Sequence, residues 1–375
     1  MQLLKLVQSQ VRVGEPLPWG VRDAQGKLLL GQGHVVATPA QLNAILERGA
    51  FVDVEEVKAA AKRTAEAEQQ RQRPVSVFTL WERMLWQLDR LLRGAQEEPG
   101  FPARADELAR HILALIDRDA DIAIYLAVRQ DPKRLSIYGL AHAVHCSLIC
   151  LLIGRRMGWD GDKLLTLMKA ALTMNIATLE LQGRMAVQGV PPTTGQAALI
   201  AEHPAKGVEM LRAAGVEDED WLQAVAQHHE RADGTGYPAG LRDATDFARA
   251  LRHVDVFMAK ISPRAIRAPV SIQVAAREMF QQDQGPIAAA IVKEVGIYPP
   301  GEFVKLRSGE HAVVVRRTES ASTPMAASIT DRSGMPVVNT VVRDTSKPEF
   351  AIVSTVSDKA QVLRMPPERL YGLPE

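Results

Sequence analysis

Apolar positions along this chain follow three successive rhythms, and each predicts a different kind of element. Up to about residue 56 the apolar runs are short and punctuated by turn residues: Asp23-Ala24-Gln25-Gly26 separates Val21 from a strand-like run at 27–30, and Gly31 and Gly33 precede His34-Val35-Val36. Thr38-Pro39-Ala40-Gln41 then supplies an N-cap, a proline at the first helical position and a capping-box glutamine. Gly49 stops that helix, and residues 51–54 read as a returning strand. Residues 1–56 are therefore expected to form a small β-rich N-terminal domain. The next stretch carries many charges and hardly any large apolar side chain, so 57–75 reads as a linker, either a solvated helix or a loose segment.

A helical period takes over after Pro74. Trp81, Met84, Leu85, Leu88, Leu91 and Leu92 form one stripe, Leu108, Ile112, Leu115 and Ile116 another, and 119–130 continues in kind, giving a helical region over 76–136. Between 137 and 283 every apolar segment repeats at three- and four-residue steps, which predicts an all-helical domain. The period changes once more in the tail. Residues 303–306 and 312–315 flank Ser308-Gly309, and 328–330 and 337–342 flank Ser333-Gly334, so 284–375 is expected to be a small C-terminal β unit with two hairpins. The fold class expected is thus multidomain and mainly α, an all-helical bundle flanked by two small β units.

At 375 residues the chain is long enough for more than one core. With 45 Lys and Arg against 44 Asp and Glu, the net charge of +1 argues against a nucleic-acid polymer as partner. No apolar run reads as long enough for a membrane span, and the charged amino terminus is unlike a secretory signal. Cys146 and Cys150 lie four residues apart in a helical pattern, where a disulfide is geometrically implausible, so they read as reduced core residues of a cytoplasmic protein.

Six of the nine histidines lie between residues 142 and 253. The sharpest string is His228-His229-Glu230-Arg231-Ala232-Asp233-Gly234-Thr235-Gly236-Tyr237-Pro238, in which a histidine pair at a helix end runs into a loop whose glycines permit a sharp bend. This string resembles the HHE-x-x-DG-x-GYP signature of HD-GYP domains, a bacterial branch of the HD metal-dependent phosphohydrolases. His142 after Tyr138-Gly139-Leu140-Ala141 is similar to that family's first ligand histidine, and His203-Pro204-Ala205-Lys206-Gly207 to its His-Pro-x-x-Gly element. Val254-Asp255-Val256-Phe257 and the basic Arg264 and Arg267 resemble its late aspartate helix and phosphate-side arginines. The likeness covers roughly 137–283.

The resemblance implies a helical HD-type fold, bridged metal ions and hydrolysis of cyclic di-GMP, with one metal on His142, the His-Asp doublet and Asp255, and a second on the doublet aspartate, His203, His228 and His229. The name-giving doublet is absent. Its place is taken by Met174-Asn175, and Thr178 stands where the family has a lysine. Asparagine offers no anionic bridge, and a thioether is poorly matched to manganese or iron. What remains is a candidate mononuclear site for zinc, iron or manganese at His203, His228 and His229, with His142 and Asp255 as further candidates; the alternative is that these imidazoles persist metal-free.

On this reading no catalytic set is intact. Asp233, Gly234, Gly236, Tyr237, Pro238, Arg264 and Arg267 are candidate ligand-binding residues, and Glu230 is a candidate acceptor for a ring N–H behind the metal ligands. His145 reads as packed or solvent-facing and His253 as a surface residue. The expected function is a degenerate signalling or binding module for a cyclic dinucleotide, or for a protein partner such as a diguanylate cyclase-type domain, with a homodimer allowed. The alternatives are an atypical metal-dependent phosphodiesterase and a non-catalytic scaffold comparable to HDOD domains.

Overall fold

The structure, a computed structural model, describes residues 2–7, 10–72, 75–356 and 365–373, excluding the side chains of 66–72. The chain forms two compact units, Met1–Val75 and Ser76–Glu375.

In the first unit, β1 (Leu3–Lys5), β2 (Val21–Arg22), β3 (Leu28–Leu30) and β4 (Phe51–Asp53) make an antiparallel sheet in the order β1-β4-β2-β3. Helix α1 (Pro39–Glu47) starts where expected, with the Thr38 side chain accepting from the Gln41 N–H. Leu6, Leu17, Trp19, Val21, Leu42 and Val52 close a small core beneath the sheet. Strand β1 escaped the sequence reading because three residues carry no usable period. Most of the expected linker is helix α2 (Val54–Gln72), and its Ala60 is buried in that core. Linker residues 73 and 74 lie outside the described ones, as do 357–364 of the expected tail.

The second unit is a helical bundle built around α6 (Tyr138–Arg156). This helix is buried on nearly every face, which is why its sequence shows apolar residues all round. It packs against α3 (Val77–Arg93), α4 (Phe101–Arg118), α5 (Ala120–Arg129), α7 (Gly161–Thr173), α8 (Leu179–Val187) and α11 (Asp246–Ile261). Gly154 lets α7 come close: a Cβ there would sit 2.5 Å from the Leu164 side chain. Helices α9 (Thr194–Ala213) and α10 (Glu219–Gln227) pack against each other, and α12 (Ile272–Gln282) and α13 (Pro286–Val295) complete the bundle. Helix α13 lies inside 284–375, the stretch expected to be a β unit and tail, and its Ile287, Ala288 and Ile291 belong to the bundle core.

The two C-terminal hairpins form as expected. Strands β5 (Phe303–Leu306), β6 (His311–Arg316), β7 (Met325–Thr330) and β8 (Pro336–Asp344), joined by β9 (Ile352–Thr355), make an antiparallel sheet in the order β8-β7-β6-β5-β9. Phe303, Val313, Val315 and Ile329 pack with Val77, Phe78, Ile122 and Tyr125 of α3 and α5, so the sheet shares a core with the helices. A short helix, α14 (Pro367–Tyr371), adds Leu370 to that core. One expectation needs correcting: Pro132–Arg156 and Gly161–Val187 are each long and apolar enough to cross a membrane by composition. Their most apolar windows are 89% and 72% buried inside the protein, as core helices are.

Candidate functional site

His203, His228 and His229 converge, their ligating nitrogens within 4.8 Å of one another. Helix α9 supplies His203, and the C-terminal end of α10 supplies the pair. The sequence fixes both His203 and His228 through carbonyls that their helices leave free. Pro204 has no N–H, so the Ile200 carbonyl four residues back lacks its helical donor, and the His203 Nδ1–H donates to it at 2.6 Å. The last carbonyls of α10 lack partners for want of further helix, and the His228 Nδ1–H donates to Val225 O at 2.7 Å.

A carbonyl can only accept, so both Nδ1 atoms carry the proton and both Nε2 atoms present lone pairs. Those Nε2 atoms face each other at 3.1 Å, and both rings are buried. Burial also pushes the His228 pKa well below its ordinary value, with the neighbouring His229 and His203 adding to the effect, and burial takes His229 down to about 4. Two buried lone pairs aimed at one point, in rings that resist protonation, fit a divalent cation. Bonds of ~2.0–2.1 Å to one tetrahedral zinc would set the nitrogens about 3.4 Å apart.

Beside the triad, α6 and α11 bring together His142, Cys146 and Asp255, again within 4.8 Å. His142 Nε2 lies 2.7 Å from Asp255 Oδ1 and 3.5 Å from Cys146 Sγ. Its Nδ1 lies 3.3 Å from the Tyr138 hydroxyl, which accepts from Arg264 at 2.7 Å. Burial pushes Asp255 upward, but the hydrogen bond and charge of His142, with the charges of His229 and His228, hold it well below the usual carboxylate range. Burial, with Asp255 close by, drives the Cys146 thiol far above its ordinary value. Both cysteines are reduced and buried, as the sequence suggested.

Met174, Asn175 and Thr178 are buried between the end of α7 and the start of α8. In the Gly234–Pro238 loop, Tyr237 stacks on His229 with ring centroids 4.5 Å apart. Gly236 has no alternative: a Cβ would meet Arg231 N at 2.4 Å and Glu230 Cα at 2.5 Å. Asp233 accepts from the Thr235 N–H and hydroxyl, a local turn at the surface.

Glu230 departs from its expected role. Its two oxygens accept from the Ala239 and Leu241 backbone N–H groups at 2.7 and 2.8 Å, so it anchors the loop rather than orienting an imidazole. The arginines also divide. Arg264 stacks over Tyr138 next to His142, whereas Arg267 donates to Ala259 O at the end of α11. His145 is packed, stacked on Trp81. His253 is buried, not on the surface, with Nδ1 donating to Arg249 O and Nε2 2.8 Å from Asp283; the angular step along α11 placed it away from Asp255 but could not show what packs on that face.

Residues 126–286 match the family model for the HD domain. This segment is an HD domain. Over 247 residues the chain is 28% identical to the cyclic di-GMP phosphodiesterase PA4108 of Pseudomonas aeruginosa, covering 64% of this chain and 59% of that protein. It is 20% identical over 195 residues to the cyclic di-GMP phosphodiesterase PdeB of Borreliella burgdorferi, covering 50% and 51%. The chain thus spans between half and three fifths of these curated relatives. Among solved structures, Bd1817, described as an HDG"Y"P protein from Bdellovibrio bacteriovorus, aligns with a TM-score of 0.49 and 14% identity over 78% of this chain and 99% of that one.

The HD domain's site makes two expectations specific. Exchanging Pro204 for alanine restores an N–H that competes for Ile200 O, so Pro204→Ala should raise stability, by up to about 3 kcal/mol, while loosening His203 and lowering metal affinity about 10–100-fold. Denaturant melts and metal titration would show the two effects with opposite signs; a parallel loss of both would refute this reading. The second expectation concerns pH. Unfolded histidines protonate near 6.5, whereas the folded metal-free protein holds His229 neutral to about 4 and His145 to about 3. The unfolded state therefore binds more protons below 6.5. Stability should be full above that pH and fall as pH drops toward 4, by up to roughly 1.4 kcal/mol per pH unit for each such histidine. A urea midpoint unchanged between pH 7 and 4.5 would contradict it.

Proposed function

We propose that this chain is a degenerate HD-GYP-type signalling module that binds cyclic di-GMP or a closely related cyclic dinucleotide, holds one divalent ion on His203, His228 and His229, and hydrolyses the nucleotide weakly or not at all. The observation that carries the metal is the pair of opposed, buried Nε2 lone pairs, which no donor among the described residues answers. The weak hydrolysis follows from Met174-Asn175 and Thr178, which supply neither the anionic bridge nor the ammonium that the family's doublet and lysine would provide. Zinc or iron suits three imidazoles better than manganese does.

When bound, the ion would polarise a phosphate oxygen. The chain's own residues hold the ligand around it. Tyr237 presents a ring beside His229, and Arg264 keeps a buried Nε–H with no acceptor among the described residues, free for a second phosphate oxygen. A protein partner such as a diguanylate cyclase-type domain, and a cytoplasmic location, accord with a signalling role.

A second reading, an atypical metal-dependent phosphodiesterase, has its support in the two curated relatives of that activity. Zinc analysis tests the metal: the paired change His203→Ala with His228→Ala should remove one zinc ion per chain relative to the unaltered protein. Equal zinc in both would leave the metal-free scaffold as the better account.

A further inference from the structure

We propose that the cavity between α3 and α6 binds an uncharged, single-ring aromatic molecule carrying a hydroxyl. This site is separate from the metal and nucleotide site, and it does not rest on the function proposed above.

The cavity measures about 160 Å³, and a cavity of roughly 150 Å³ takes up one benzene. Trp81, Glu82 and Leu85 of α3 form one side, ahead of residues 126–286 that match the HD domain. Tyr138, Ala141 and His145 form another, at steps of three and four along one face of α6. Neither His142, Asp255 nor any histidine of the triad lines it.

Leu85, Leu126, Leu135, Ile137 and Pro263 supply apolar wall. The rings of Trp81 and His145 lie within 16° of parallel, with centroids 6.2 Å apart, and paired flat rings of this kind suit a planar ligand.

The polar groups narrow the choice. Trp81 and His145 are only 3% and 6% exposed, yet neither the indole N–H nor the imidazole nitrogens have a hydrogen-bond partner among the described residues. Burial keeps His145 neutral by taking its pKa down to about 3, so one of its nitrogens accepts and the other donates. Buried polar groups without partners are unfavourable, and a single hydroxyl can accept from the indole and donate to the imidazole. The charged groups are already engaged. Arg134 donates twice to Glu82, at 2.5 and 2.7 Å, Arg129 donates to Met365 O, and Asp131 accepts from the Lys133 N–H. An uncharged ligand therefore fits better than an ion.

The test titrates 4-fluorophenol and fluorobenzene with the full chain and follows the fluorine resonance of each. Both should shift and saturate, with 4-fluorophenol bound at least about fivefold more tightly, the worth of one hydrogen bond. His145→Phe keeps a ring against Trp81 but removes the nitrogens, and should narrow that gap. Ala141→Met fills the cavity and should abolish binding of both probes; Leu85→Phe serves the same purpose, and circular dichroism selects the variant that keeps the fold. Cyclic di-GMP added in excess should leave the probe in place. No saturable binding, equal affinity for the two probes, binding that survives filling of the cavity, or displacement by cyclic di-GMP would each overturn the proposal. None of these results bears on whether the triad holds its ion.

Discussion

Changing Met174 to histidine and Asn175 to aspartate should raise the manganese content of the purified chain by at least one ion. The unaltered site offers manganese mainly neutral imidazoles, with Asp255 already engaged by His142. The double change adds an imidazole and a carboxylate at positions buried between α7 and α8, supplying the oxygen donor that hard cations require. The same carboxylate is unfavourable when no cation is present. Burying an uncompensated charge destabilises a fold, so the variant's melting temperature should lie below the unaltered protein's in chelator and recover with manganese. Manganese content and melting temperature both indifferent to the change would show that the cleft has repacked around Met174, and would favour the scaffold reading.

Turnover should follow the same residues. Against the variant that also carries Thr178→Lys, the unaltered protein should hydrolyse cyclic di-GMP at least ~10³-fold more slowly. A bridging carboxylate brings a second cation and a more acidic bound water, each worth several kcal/mol at the transition state, and about 4 kcal/mol already corresponds to ~10³ in rate. The added ammonium should act on phosphate binding more than on metal content, since it attracts anions and repels cations. Rapid hydrolysis by the unaltered chain, abolished by a chelator, would overturn the proposal and promote the phosphodiesterase reading.

Much of this arrangement could be read from the chain because its signals are local. The Thr38 cap, the turn glycines of the tail hairpins and the helical stripes act over a few residues, and the structure carries all three. The histidines of the triad were found by motif, and the fold brings them together. What sequence could not reveal depends on contacts made at a distance. Cys146 read as core, and it is buried; that it also faces His142 and Asp255 depends on how α11 crosses α6, although its position one turn after a candidate ligand was a signal to follow. Glu230 lies beside the histidines in sequence but turns to the loop, because the Ala239 and Leu241 N–H groups need an acceptor there. Helix α13 was missed because its alanine-rich turns, between Gly285 and Gly296, offer a weak stripe beside the strong β alternation that follows.

The central claim is that this HD domain holds a cyclic dinucleotide without consuming it. Equimolar protein and cyclic di-GMP, incubated with zinc, passed rapidly through a gel-filtration column and the co-eluting nucleotide identified by mass, tests that claim in one step. The account predicts intact cyclic di-GMP travelling with the protein, and free nucleotide when Arg264 is changed to alanine. Nucleotide recovered mainly as linear product, or no nucleotide in the protein fraction, would contradict it.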